Sequence, residues 1–238
     1  MKISSATSVG KIRSVNEDSF CVSQIGENGE VLAVVADGMG GHNAGEVASA
    51  QAVKVLKDLK LRADVAIKDA LLCAIDCANN EIYKMSQKQP EQHGMGTTIT
   101  ACVIAGNTAT VAQVGDSRLY LIRDGKLSQI TKDHSLVEML LESGEITEAD
   151  AKHHPQKNVI TRALGTDNTV EADTYELEIS AGDIILLCSD GLVNMVDDKK
   201  ILSIITNNQD FGSLAESLVT EAENTGGIDN ITVVLIKF

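Results

Sequence analysis

The chain has 238 residues, of which 43% are hydrophobic, and its formal net charge at pH 7 is −14. This length suits one compact domain, and no Pro- or Ser-rich linker divides the chain, so we predict a single domain over residues 1–238. The negative charge disfavours binding to nucleic acid or to an anionic membrane. The sequence shows no run of 18 apolar residues and no signal peptide, which favours a cytoplasmic protein.

The strand predicted at residues 31–37 organises the first part of the chain. An apolar run with three valines leads to Asp37, and glycines follow at positions 38, 40 and 41. Such a run is typical of a strand buried on both faces. A carboxylate at its end is held rigidly, and the glycines let the backbone come close to a ligand.

Three further aspartates occupy the same kind of position, at an end of a predicted strand. Because these strand ends could meet at one edge of a layered sheet structure, the carboxylates would repel one another and lose water, which is costly. Hard divalent cations with oxygen ligands relieve that cost, which favours Mg²⁺ or Mn²⁺. The three aspartates are Asp116 in the turn at 115–118, Asp190 after the run 183–189, and Asp229 before the run 231–236.

A hairpin is predicted from residues 19–25 through the turn Asn28-Gly29 into the organising strand. This pairing would place the preceding segment beside Asp37. Arg13 would then bind phosphate near the metal ions. Glu17 or Asp18 would hold metal-bound water.

The remaining pattern predicts helices grouped apart from an antiparallel meander, and therefore two packed sheets with helices outside. A polar, irregular segment is expected at 144–170, where His153-His154 could ligate a transition metal or belong to a solvated mobile loop. The five cysteines mostly lie in apolar patterns, and we predict all of them as reduced core residues, including Cys73 and Cys77. The predicted helices cover 44–59, 64–85, 135–143, 197–206 and 213–223, and the meander strands cover 99–105, 108–114, 119–122 and 127–130.

Eight short motifs, in order along almost the whole chain, are similar to those of one family. The sequence resembles the metal-dependent serine/threonine protein phosphatases of the PP2C (PPM) family, in particular the compact bacterial members. The motifs are Arg13-x-x-Asn16-Glu17-Asp18, Asp37-Gly38-Met39-Gly40-Gly41-His42, Met95-Gly96-Thr97-Thr98, Gly115-Asp116-Ser117-Arg118, Asp133-His134-Ser135, Thr161-Arg162-Ala163-Leu164-Gly165, Ser189-Asp190-Gly191 and Asp229-Asn230-Ile231-Thr232.

The resemblance implies an α+β fold, a four-layer α-β-β-α sandwich of two mainly antiparallel sheets flanked by helix pairs. It implies a dinuclear Mn²⁺ or Mg²⁺ centre between the sheets. By position, Asp37 bridges both ions and the Gly38 carbonyl ligates one of them, while Asp190 and Asp229 ligate the other.

The same resemblance assigns the outer parts of the site. Asp18 and Glu17 act mostly through water, and Asp116, with Asp190, holds a weaker third ion. Arg13 binds the substrate phosphate. Residues 135–170 correspond to the family's flap, a mobile segment beside the active site that affects substrate choice.

The implied reaction is hydrolysis of phosphoserine or phosphothreonine by in-line attack of a metal-bridging water or hydroxide. The substrates would be phosphorylated proteins, among them a Ser/Thr kinase that the enzyme opposes and the targets of that kinase, and we expect a monomer. One position departs from many eukaryotic members, which have a proposed general-acid histidine where this chain has Met39. His42 is the nearest candidate, and water on a third metal ion is the alternative.

The sequence lacks the motifs of other hydrolase classes. No cysteine has arginine six residues later, and neither Gly-x-Ser-x-Gly nor a P-loop is present. A phosphoaspartyl enzyme could use Asp37 as nucleophile, but Asp190 and Asp229 would then lack a role. The non-enzymatic alternative is an inactive PPM-fold regulator that binds phosphoproteins.

Overall fold

The computed structural model of the chain describes residues 1–26, 28–40, 44–88, 90–152 and 154–238. Its strands form two sheets in which all the neighbours are antiparallel. The strands are β1 (Lys2–Ser8), β2 (Asp18–Gln24), β3 (Val31–Met39), β4 (Gly96–Thr97), β5 (Ile99–Ala105), β6 (Thr108–Val114), β7 (Arg118–Arg123), β8 (Lys126–Gln129), β9 (Asp173–Glu178), β10 (Ile184–Cys188) and β11 (Ile231–Lys237).

The first sheet has the strand order β1-β11-β10-β7-β8. The second has the order β2-β3-β5-β6-β9, and the short β4 pairs with the end of β3. Both sheets mix strands from distant parts of the chain. Their edges therefore bring together residues that are far apart in the sequence.

Helices cover the outer face of each sheet. The second sheet packs against α1 and α2, and the first packs against α5, α6 and α7. No helix in the described part of the chain is long and apolar enough to cross a membrane. The helices are α1 (Ala44–Lys57), α2 (Ile67–Lys88), α3 (Leu136–Glu142), α4 (Glu148–Lys152), α5 (Asp190–Val193), α6 (Asp198–Asn207) and α7 (Leu214–Asn224), with 3₁₀ turns at Pro90–Gln92 and Phe211–Ser213.

Alternation along the central strands explains the layers, because successive side chains of a strand point to opposite faces. In β3, Leu32 and Val34 join the core under α1 and α2, whereas Ala33 and Val35 join the core between the two sheets. Such a strand has no polar face, and it is apolar throughout. The predicted α+β fold, a four-layer α-β-β-α sandwich, is confirmed.

The sequence did not predict three of the strands, α4 or the one-turn helix α5. Neither β1 nor β9 has a continuous apolar run, since each lies at the edge of its sheet and is only partly buried. The two-residue β4 is defined only by its pairing with β3. The helix α4 lies within 144–170, which we expected to be irregular; His153 is outside the described residues.

The prediction for two of the cysteines was wrong. All five thiols are free, but Cys73 and Cys77 are exposed and Cys21 is only partly buried. The helix α2 turns the row of Leu71, Ile75 and its neighbours to the core, so the cysteine row faces outward. The spacing of one helical turn indicated a shared face correctly but not which face it was.

The interface between the sheets is expected to carry much of the stability. Leu187 lies fully buried in it. We expect Leu187→Ala to lower the free energy of unfolding by about 2–5 kcal/mol, because a cavity remains where the side chain packed. Urea denaturation measures this. Val65→Ala, at an exposed side chain, serves as the control and should change stability by no more than about 0.5 kcal/mol; equal effects of the two variants would contradict the assignment.

Candidate metal centre and active site

A cleft of about 320 Å³ opens at the sheet edge where β3, β6 and β10 end and β2, β7 and β11 begin. Antiparallel neighbours start and end at the same edge, so the connections between them meet there. Seven of the predicted site residues, including Gly38, line the cleft. The full lining is Arg13, Glu17, Asp37, Gly38, Met39, Gly40, Thr98, Asp116, Asn158, Ile160, Asp190 and Asp229.

Two candidates are not part of this lining. Asp18 pairs directly with Asp37 across β2 and β3, and its side chain is buried. His42 lies outside the described residues. Met39, which takes the place of a histidine in many eukaryotic relatives, lines the cleft and has no titratable proton.

The gathered carboxylates change one another's proton affinity. The pKa is raised to about 7 for Asp18, about 8 for Asp116 and about 6 for Asp190, chiefly by loss of water and also by repulsion from neighbouring carboxylates. The pKa of Asp37 is raised well above its ordinary value for the same two reasons. Without a counter-charge, the cluster holds protons near neutral pH.

These residues fit hydrated divalent cations. The donors are carboxylate oxygens with the backbone of Gly38, which is the ligand type that Mg²⁺ and Mn²⁺ prefer. One oxygen, Asp18 Oδ1, is buried with no hydrogen-bond partner in the structure. No three His, Cys, Asp or Glu side chains of the described residues converge on a single ion position. Mg²⁺ usually keeps several waters and takes only one or two carboxylate ligands from the protein. A site with few carboxylates around each ion position therefore suits Mg²⁺ better than a site in which protein groups supply every ligand.

Two threonines hold Asp37 in place. The Asp37 backbone N–H donates to Thr98 Oγ1 at 2.9 Å, and the Asp37 carbonyl accepts from Thr97 Oγ1 and from the Thr98 N–H, each at 2.9 Å. Thr98 Oγ1 is also hydrogen-bonded to Ser117 Oγ at 2.8 Å. The Gly-Thr-Thr motif therefore fixes the backbone at the end of β3 and ties it to the turn that carries Asp116.

Gly38 is required by close packing. A Cβ atom there would lie 2.1 Å from the Gly45 carbonyl oxygen and 2.6 Å from the Glu17 carbonyl oxygen. The Gly38 N–H donates to that Glu17 oxygen at 3.1 Å. The strand end, the start of α1 and the segment before β2 thus meet at one point.

Asn230 is a positioning residue that belongs to the motif at 229–232, but the sequence alone did not predict its role. Its Oδ1 accepts from the Glu17 N–H at 2.8 Å, and its Nδ2 donates to the carbonyls of Val9 and Val15 at 3.0 Å each. These bonds fasten both ends of the segment that carries Arg13. The Arg13 guanidinium, about half exposed, donates to Asp229 at 2.9 Å. That contact raises the pKa of Arg13 above its ordinary value.

His134 supports the turn that carries Asp116. Its Nδ1 accepts from the Gly115 N–H at 3.1 Å, and its own backbone N–H donates to the Gly115 carbonyl at 2.9 Å. Its Nε2 lies 3.3 Å from Asp173 Oδ2. The Asp133-His134-Ser135 motif indicated this position, but the role follows only from the contact.

The predicted flap reaches the cleft. Asn158 and Ile160 are part of the lining, and Ile160 forms a β-bridge with Ser135. Ser135 caps α3 by accepting from the Glu138 N–H at 3.2 Å, as its position in the sequence predicted. The two ends of this segment, at Ser135 and Ile160, therefore pair with each other next to the acidic site.

Fold and cleft together define a class: an α-β-β-α sandwich with an oxygen-rich acidic site for divalent cations at one sheet edge. The family model for protein phosphatase 2C matches residues 4–231. The serine/threonine phosphatase stp of Listeria monocytogenes is 42% identical over 236 residues, which cover 97% of this chain and 93% of that protein.

Solved structures of bacterial serine/threonine phosphatases are similar to this chain over nearly its whole length. The serine/threonine phosphatase PstP/Ppp of Mycobacterium tuberculosis has a TM-score of 0.91 and 38% identity, covering 100% of this chain and 99% of that one. The catalytic domain of PstP in complex with two manganese ions has a TM-score of 0.87 and 38% identity, covering 98% and 96%. The chain belongs to the protein phosphatase 2C family.

The family membership confirms the resemblance and the enzyme class, a protein phosphatase, that the motifs predicted. The roles assigned to individual site residues, the single-domain division, the cytoplasmic location and the monomeric state stay predictions.

Metal-free protein is expected to become less stable as the pH rises from about 4 to 8. The unfolded chain releases its Asp protons near pH 4, whereas the folded chain keeps protons on Asp190, Asp18 and Asp116 up to about pH 6, 7 and 8. The contribution of these groups is therefore fully present below pH 4 and is lost as the pH passes the folded pKa values. Urea denaturation in EDTA at several pH values measures it.

Asp116→Asn is the diagnostic variant for this pH dependence, with Asp58→Asn at an exposed position as its control. The first should flatten the decline at the upper end of the range, and the second should leave it unchanged. Added Mn²⁺ should restore more stability at pH 8 than at pH 5. A decline that is identical in wild type and Asp116→Asn would contradict the interpretation.

Proposed function

We propose that the protein hydrolyses phosphoserine and phosphothreonine in proteins at a dinuclear Mn²⁺ or Mg²⁺ centre in this cleft. The observation that carries the proposal is the meeting of Asp37, Asp116, Asp190 and Asp229, from four separate strand ends, in one cleft with Arg13. The names of the relatives support the substrate, since they are serine/threonine phosphatases. The two manganese ions in the PstP complex support the cofactor.

Within this proposal, Asp37 and the Gly38 carbonyl would hold one ion, and Asp37, Asp190 and Asp229 would hold the other. Because no three acidic side chains of the described residues are already placed around one ion position, the second set would have to close around its ion on binding. Asp116 and Asp190 would hold a third, weaker ion. When bound, the ions supply a water that loses its proton near neutral pH and neutralise charge on the phosphoryl oxygens. The protein's contribution is to keep its ligands rigid at strand ends, which Thr97 and Thr98 do for Asp37.

Glu17 and Asp18 lie on the segment that precedes and begins β2 and act on water rather than on an ion directly. Asp18 Oδ2 accepts from Ser189 Oγ at 2.7 Å, which leaves its unpartnered Oδ1 for a further donor. The Glu17 carboxylate has a raised pKa because of partial burial. Both side chains can therefore accept hydrogen bonds from water on the ions.

Arg13 binds the phosphoryl group of the substrate. A guanidinium offers paired N–H donors that match phosphate oxygens, and Arg13 is the only cation in the described lining of the cleft. It is half exposed, so an incoming phosphate can reach it. Its contact with Asp229 keeps it oriented beside the proposed metal ligands.

The physiological substrates follow from family analogy. A compact bacterial member would oppose a Ser/Thr kinase and dephosphorylate that kinase and its targets. The chain's negative charge is consistent with the absence of a nucleic-acid substrate.

Asp37→Asn and Asp190→Asn are expected to abolish activity while the protein stays folded. Each change removes a proposed ligand without changing side-chain size, and we expect kcat/KM to fall by at least about 100-fold, as for loss of one charge-stabilising group. The assay is Mn²⁺-dependent hydrolysis of a phosphothreonine peptide, with EDTA as the metal-removal arm. Asp58→Asn is the matched control.

Full activity of either variant, or wild-type activity that survives EDTA, would overturn the metal assignment. Phosphopeptide binding by metal-loaded, folded wild type without any turnover would instead indicate the inactive regulator.

Arg13→Ala is expected to raise KM for the phosphopeptide by about tenfold or more with little change in Mn²⁺ affinity, because a charge-assisted pair with phosphate is lost. Arg13→Lys should recover part of the loss, since it keeps the charge but not the paired donors. Steady-state kinetics and calorimetric Mn²⁺ titration measure the two quantities. Weakened Mn²⁺ binding with an unchanged KM would argue against the phosphate role.

A further inference from the structure

Some of the most exposed apolar side chains belong to residues next to cleft residues in the chain. In the described part of the chain, seven large hydrophobic side chains are well exposed, and Ile12, at 71%, is the most exposed of them. Ile12 directly precedes Arg13, and Ile228, at 51% exposed, directly precedes Asp229. The two isoleucines thus flank the two partners of the ion pair in the cleft.

The segments that carry these isoleucines are joined to each other. The Lys11 N–H donates to the Gly227 carbonyl at 2.7 Å. Gly10 has a φ of +75°, and a Cβ there would lie 2.2 Å from the Asp229 carbonyl oxygen. Backbones this close leave little room for independent movement, so Ile12 and Ile228 are presented from one rigid support.

We propose that Ile12 and Ile228 form an apolar shelf that binds an apolar side chain next to the phosphorylated residue of the substrate. This inference rests on the proposed phosphatase function and names a substrate class for it: phosphorylated segments with an aliphatic or aromatic neighbour. A substrate whose phosphate contacts Arg13 brings its adjacent residues to the residues that flank Arg13. Burial of apolar surface there adds affinity that the phosphate contact does not supply.

Charge supports an apolar neighbour over an acidic one. The chain's net charge is −14, and the five acidic side chains of the cleft lining, whose charge bound cations would neutralise, account for only part of it. Acidic residues beside the phosphate would meet like charge. An apolar side chain avoids this repulsion and covers surface that is otherwise exposed to water.

Another segment of the cleft lining also has an exposed apolar neighbour. Val159 is 43% exposed and lies between Asn158 and Ile160, which both line the cleft. Three of the seven exposed hydrophobic side chains are therefore immediate chain neighbours of cleft residues. Single exposed hydrophobic residues need no explanation, but this placement beside the cleft does.

The test compares phosphothreonine peptides that carry Leu, Ser or Lys next to the phosphothreonine, in one set before it and in one set after it. Wild type with Mn²⁺ is expected to hydrolyse a Leu peptide with a kcat/KM about tenfold above that of the matching Ser peptide, as a small hydrophobic contact allows. The double variant Ile12→Ser/Ile228→Ser should lose this preference. Ile12→Leu/Ile228→Leu, which keeps the apolar surface, should retain it.

Ile3→Ser is the matched control, because Ile3 is an exposed isoleucine that pairs with Ile236 at the end of β1 farthest from the cleft. It should leave the Leu-to-Ser ratio unchanged. No preference in wild type, a preference that survives in the double serine variant, or a stronger preference for Lys would overturn the shelf. Absence of hydrolysis of every peptide and of p-nitrophenyl phosphate by wild type would overturn the proposed function itself.

Discussion

Mutual repulsion of carboxylates that have lost water is the constraint on which the rest of this structure depends. Asp37, Asp116 and Asp190 line one cleft, and Asp18 is buried next to Asp37 in the neighbouring strand. Each of the four has a raised pKa because burial and its neighbours disfavour the charge. A flexible chain would separate such groups. Here they stay together because each is attached to an end of a strand in a packed sheet, where movement would break the sandwich. Divalent cations at the proposed centre would relieve this repulsion, and that relief would add to their binding energy.

The supporting contacts follow from this constraint. Thr98 holds the backbone of Asp37, Asn230 fastens the segment that carries Arg13, and His134 holds the turn before Asp116. None of the three need touch a substrate or an ion. Their hydrogen bonds limit how far the backbones that carry the acids can move apart before a ligand arrives. Ligand groups held rigidly in advance do not have to be ordered during binding or reaction.

Much of the fold and of the candidate site could be predicted from the sequence, and the failures have physical causes. Central strands such as β3 are buried on both faces, so their residues are apolar without interruption and are easily recognised. The edge strands β1 and β9 are half solvated, and their composition resembles that of loops. Helix α2 was recognised by its spacing, yet Cys73 and Cys77 were assigned to the wrong face, because a row of small side chains one turn apart is compatible with core or solvent. The contacts of Asn230 and His134 join residues too distant in the chain for any local pattern to show.

The sequence by itself determined which residues are chemically suited to the site and where each stands on its own element. An aspartate after a buried strand and the glycines beside it are local features, and local features can be recognised from the order of residues in the sequence. Only the tertiary structure decided which of these elements are neighbours. The antiparallel pairing of Asp18 with Asp37, and the meeting of Arg13 with Asp229, depend on how two sheets with interleaved strand orders pack together. That packing is a property of the whole core, since burial is shared among strands from every part of the chain.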